Sequence, residues 1–109
     1  MRAIRFLCLA ATLAVAATPA FAEWYVVMGS FPQGSPEVDD QLYMIANQCD
    51  LAAERGEGFD LVGMNPDVTL VFLGPYPSKA RAKKALPAAR RCVPDAFVKS
   101  ATPRPAGDH

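Results

Sequence analysis

Apolar residues follow two different periods along the chain. Residues 24–31 (WYVVMGSF) and 68–76 (VTLVFLGPY) are rich in aromatic and β-branched side chains and run into glycine and proline, which predicts two strands that each lead to a turn. Between them, Ser35, Pro36 and Glu37 supply an N-cap, a proline at the first helical position and an acidic first turn. Val38, Leu42, Ile45, Cys49 and Ala52 or Ala53 then recur at helical spacing, and Gly56 and Gly58 are expected to stop the helix. Residues 58–64 (GFDLVGM) form a shorter strand candidate, followed by turn chemistry at Asn65, Pro66 and Asp67. Ser78 caps a second predicted helix with the stripe Ala82, Ala85, Leu86, Ala89 and Val93, and Cys92 on its flank. Pro87 removes one backbone hydrogen bond from that helix, so a kink or an early end is expected there. Residues 93–100 (VPDAFVKS) close the pattern as a strand, and 101–109 (ATPRPAGDH) read as a polar, disordered tail.

The segment Met28-Gly29-Ser30-Phe31-Pro32 is echoed 45 residues later by Leu73-Gly74-Pro75-Tyr76-Pro77, an internal repeat of strand, turn and helix. The order β-α-β-β-α-β predicts an α+β sandwich, a four-stranded antiparallel sheet with two helices packed on one face. Side by side on that face, the helices bring Cys49 and Cys92 within reach of each other across their seam.

The first residues obey another grammar. Arg2 and Arg5 give a positive head, residues 6–17 an apolar stretch, and Thr18-Pro19-Ala20-Phe21-Ala22 an A-x-A cleavage pattern, so residues 1–22 read as a signal peptide. The stretch is shorter than the roughly 20 residues that span a bilayer, so no membrane span is expected after cleavage, and Cys8 is discarded with the leader. Export places the mature protein in the periplasm. There, one domain of residues 23–100 is small enough to need reinforcement, and Cys49 with Cys92 is the natural disulfide. A zinc site is the alternative, but two cysteines and His109 on a polar tail lack ligand spacing and a fourth partner.

Charge is balanced overall and divided along the chain. Acidic residues dominate from Glu23 to Asp67, and basic ones from Val68 onward, clustered at Lys79, Arg81, Lys83, Lys84, Arg90 and Arg91. This is read either as two solvated helix faces or as a basic patch. With a mature net charge near −2, nucleic acid is not an expected partner. No nucleophile has a base placed beside it by sequence, so no enzyme, cofactor or metal is expected.

The strands do not alternate apolar with polar. One parity holds Val26, Met28, Val71 and Leu73 for the helix side, and the other holds Tyr25, Val27, Leu70 and Phe72. An apolar sheet side left free by the helices predicts a recognition surface; cover by a neighbouring subunit or by the C-terminal tail is the alternative. The segments WYVVMGSF, LVFLGPYPSKARAKKAL and PDAFVK together resemble a SPOR domain, the sporulation-related repeat of bacterial cell envelopes, over nearly all of residues 24–100. The resemblance implies the β-α-β-β-α-β fold, a helix-linking disulfide, and binding to peptidoglycan glycan strands stripped of stem peptides, as a cell-division module. Its ligand residues would be Tyr25, Val27, Leu70 and Phe72, with Ser30, Phe31 and Tyr76 at the turns. Relatives commonly carry glutamine at the position of Val27 and polar residues at those of Leu70 and Phe72. The apolar substitutes have no hydrogen bond to offer a sugar hydroxyl. The alternative role for the same surface is contact with envelope proteins or with a second copy of the chain.

Overall fold

The computed structural model describes residues 21–104; residues 1–20, which hold most of the expected signal peptide of residues 1–22 with Cys8, and residues 105–109 with His109, lie outside them. Five strands and two helices follow one another: β1 (Glu23–Pro32), α1 (Glu37–Gln48), β2 (Glu54–Glu57), a 3-10 turn (Gly58–Asp60), β3 (Leu61–Val62), β4 (Val68–Tyr76), α2 (Lys79–Cys92) and β5 (Phe97–Pro103). The fold is α+β with an antiparallel sheet, but the sheet has five strands in the order β2-β4-β1-β5-β3 rather than the expected four.

The additional strand, Glu54–Glu57, forms where the first helix was expected to end, and of the expected strand 58–64 only Leu61–Val62 is extended, after a 3-10 turn. Glu54–Glu57 pairs with β4 at one edge, and Leu61–Val62 pairs with β5 at the opposite edge. A flat sheet would hold those edges four strand spacings apart, about 19 Å. Four residue steps from Glu57 to Leu61 reach at most about 14 Å. The sheet therefore curls, and the crossing segment closes its concave side. Gly58 sits at the tightest point, because a Cβ there would fall onto the backbone carbonyl of Asn65.

Both helices keep the expected faces and change their ends. Ser35 Oγ accepts from the Glu37 backbone N–H at 3.2 Å, and the acidic residues Glu37, Asp39 and Asp40 complement the positive helix terminus. Helix α1 stops at Gln48, well before the glycines: Asp50 adopts φ 54°, and the backbone N–H groups of Cys49 and Leu51 both donate back to the Ile45 carbonyl. Helix α2 runs unbroken through Pro87. Pro87 and Lys83 are both exposed, so the carbonyl that loses its donor faces water. Ser78 caps this helix as expected, its Oγ accepting from Arg81 N.

Two cores result. Val26, Met28, Val71 and Leu73 meet Val38, Ile45, Ala82 and Ala89 between sheet and helices. On the other side, Tyr25, Val27, Leu70 and Phe72 gather with Leu61 and Ala101, with Met64 and Val68 packed against them. The disulfide joins Cys49, just past α1, to Cys92, the last residue of α2. Strand β5 also runs three residues past its expected end at Ser100, so the start of the expected tail belongs to the sheet. Ala101 pairs with Glu23, Thr102 and Pro103 pair with β3, and Arg104 N donates to the Asp60 carbonyl at 2.8 Å.

Candidate functional site

The apolar sheet side is closed by the chain itself, which corrects the expectation of a free recognition surface. Tyr25, Val27, Leu70 and Phe72 expose 4, 2, 4 and 9 % of their surface. Neither a subunit nor the tail alone supplies the cover; the crossing segment does so through Leu61 and Met64, joined by Ala101. The Tyr25 and Phe72 rings meet edge to face with centroids 5.1 Å apart, an arrangement of packed core rings. Tyr25 and Phe72 line no cavity, so a sugar ring or a second subunit has no access to these two side chains, while Val27 and Leu70 show only a small edge at the end of the sheet. The apolar character of Val27, Leu70 and Phe72 suits that burial. Phe31 and Tyr76 are half-buried and pack against the helix-side core, leaving Ser30 as the exposed member of the expected set.

Burial pushes the Tyr25 phenol above its ordinary value of 10.0, with the Glu23 carboxylate adding to the shift. Above about pH 10 the unfolded chain releases this proton while the folded chain retains it, so stability falls as pH rises. Tyr25→Phe is expected to flatten that decline, read as urea midpoints at a series of alkaline pH values. A variant with the same slope as the parent would refute the assignment.

An open site lies at the end of the sheet, where two strands of unequal length part. β5 pairs with β1 from Ala101 opposite Glu23 to Phe97 opposite Val27, and then turns away. β1 continues to Pro32 with β4 as its partner. In place of a neighbouring strand, the Gln41 side-chain amide donates to the Met28 carbonyl at 3.1 Å. The gap is a cavity of about 300 Å³ with Gln41, Asp95 and Phe97 on its walls, and a second cavity of about 270 Å³ adjoins it, bordered by Asn65, Leu70 and Lys99. Val27, Ser30 and Phe97 line both. Phe97 is 47 % exposed, an aromatic face between two hollows with polar groups around it.

The structure thus brings Val27, Ser30, Phe31 and Leu70 to these cavities and leaves Tyr25, Phe72 and Tyr76 out. Gln41, Asn65, Asp95, Phe97 and Lys99 were not expected from the sequence. Phe97 stands in the segment 94–99 (PDAFVK), which reads as a strand and does not mark it as a ligand residue. Among the described residues no group of three or more His, Cys, Asp and Glu side chains is placed to hold a metal ion, and no helix is long and apolar enough to cross a membrane. No protein-family model, no curated protein and no solved structure matches the chain.

Proposed function

We propose that the protein is a non-catalytic binding module of the bacterial cell envelope that takes a peptidoglycan glycan strand in the cleft around Ser30 and Phe97. The observation that carries this reading is the half-exposed Phe97 ring between two adjoining cavities whose rims hold Ser30, Gln41, Asn65, Asp95 and Lys99. Sugar rings offer flat C–H surfaces to an aromatic face and hydroxyls to its polar neighbours. A cleft with one aromatic wall and a few placed donors and acceptors meets both needs. The SPOR resemblance of the sequence and its leader peptide supply the ligand class and the compartment. The cleft differs from the sheet surface that the resemblance implies, because that surface is core in this chain.

Retention on purified cell-wall sacculi tests the reading. Phe97→Ala is expected to weaken retention roughly tenfold, the effect of truncating one aromatic anchor, with the thermal midpoint little changed because Phe97 is half-exposed. Failure of the unaltered protein to bind sacculi, or equal retention of Phe97→Ala, refutes it.

A further inference from the structure

Apart from Arg90 and Arg91 in the last turn, where the macrodipole favours cations, the outward side of α2 breaks the rules that govern isolated helices. Its exposed cations are Lys79, Arg81, Lys83, Lys84, Arg90 and Arg91, and it contains no acid. Lys79 and Arg81 stand in the first turn, where the helix macrodipole disfavours positive charge, whereas α1 places three acids at the same point. Lys79 and Lys83 are four residues apart and Arg81 and Lys84 three, both repulsive spacings for like charges. Two of these cations have structural work: Lys79 Nζ lies 5.6 Å from the Trp24 ring centroid, and Arg90 Nε donates to the Ala96 carbonyl at 3.0 Å. Among the described residues, Arg81, Lys83, Lys84 and Arg91 take part in no ion pair. Lys84 and Arg91 each follow a buried alanine by two positions, about 200° around the helix, so they mark the centre of the outward side.

We infer that this side of α2 is a docking surface for an anionic lipid bilayer. Charge complementarity calls for a partner with many negative groups. The shape selects among such partners: between the cations stand only small or compact residues, Ala80, Pro87 and Ala88. No aromatic platform stands among the cations, and the hollow at one end, beside Gln48, Ala88 and Arg91, reaches none of Arg81, Lys83 or Lys84, so the row suits a planar array of headgroups better than a polymer strand that needs a continuous groove. With no large apolar residue to insert, binding is electrostatic and therefore salt-sensitive.

Co-sedimentation with vesicles tests this, using the chain from Glu23 onward, which carries every described strand and helix. Binding is expected to vesicles of phosphatidylglycerol with phosphatidylethanolamine and not to phosphatidylcholine vesicles. It should vanish as ionic strength rises from about 0.1 to 1 M, where the screening length falls from about 10 to 3 Å. Lys84→Gln with Arg91→Gln should weaken it about 25-fold, about fivefold for each cation lost. The paired variant's unchanged thermal midpoint would confirm that folding is intact, and Lys83→Gln with Lys84→Gln serves as a second pair. Equal binding to both vesicle types, or binding that neither pair weakens, overturns the inference. Retention on soluble polyglutamate without vesicle binding also overturns it and assigns the surface to an acidic polymer. The result is independent of sacculus retention, because Phe97 is not on this helix.

Discussion

Replacing Cys49 and Cys92 together by serine is expected to cost about 4 kcal/mol of stability, with reduction of the unaltered protein giving a similar loss. The bond closes a loop across a sequence separation of 43, and opening it restores that loop's freedom to the unfolded chain. A domain this small, with every described strand and helix between Glu23 and Pro103, buries a modest share of its surface, so the loss is a large part of the total. The bridge also ties the ends of α1 and α2 over the sheet, with Cys92 Sγ 3.9 Å from Met44 Sδ. At about 4–8 °C for each kcal/mol in a domain of this size, the thermal midpoint should fall by roughly 15–30 °C. Circular dichroism melts with and without reductant, and of the double variant, measure it. A shift of only a few degrees would mean that core packing alone holds the helices in place.

The disulfide was legible because it needed only two cysteines, an expected export signal and two helices on one side of a sheet. The strong strands and both helices were legible for the same reason, since each carries its period within its own residues. β2 was not: Glu54, Arg55, Gly56 and Glu57 have no apolar pattern, and they are extended because their backbone pairs with β4. Their charges suit an edge strand, where they discourage pairing with other chains. β3 is too short to show a period, and its apolar neighbours Phe59 and Met64 made one strand appear where the chain crosses between two edges. The start of the expected tail looked polar, yet Ala101 is buried because it lies opposite Glu23 and beneath the crossing segment.

The candidate site followed the same logic at one remove. Sequence parity separated Val26, Met28, Val71 and Leu73 from Tyr25, Val27, Leu70 and Phe72 correctly, and the two sets became the two cores. Parity says which side a residue faces and nothing about what lies over that side. Near-continuous apolar strands are what burial on both sides requires, so the runs at 24–31 and 68–76 fit a doubly covered sheet as well as an open one. The cover is a long-range event, decided where residues 58–64 cross. The Phe97 cleft is equally non-local, since it exists because β5 begins five positions short of the end of β1.

Phe72→Ala separates a core residue from a ligand residue at a single position. Phe72 is 9 % exposed, meets Tyr25 edge to face, and belongs to the cluster closed by Leu61. Truncating it should cost about 3–5 kcal/mol, the lost transfer energy of the ring plus the cavity it leaves, because a side bounded by paired strands has little room to collapse. The measurement is a urea midpoint at unchanged m-value, with sacculus retention assayed well below the variant's thermal midpoint. Retention should match that of the unaltered protein, because Phe72 lines neither cavity beside Phe97. If the variant instead lost less than about 1 kcal/mol and also lost sacculus binding, Phe72 would be a contact residue on an open sheet. The crossing segment would then be a cover that lifts, and the SPOR-like surface would be restored as the binding side.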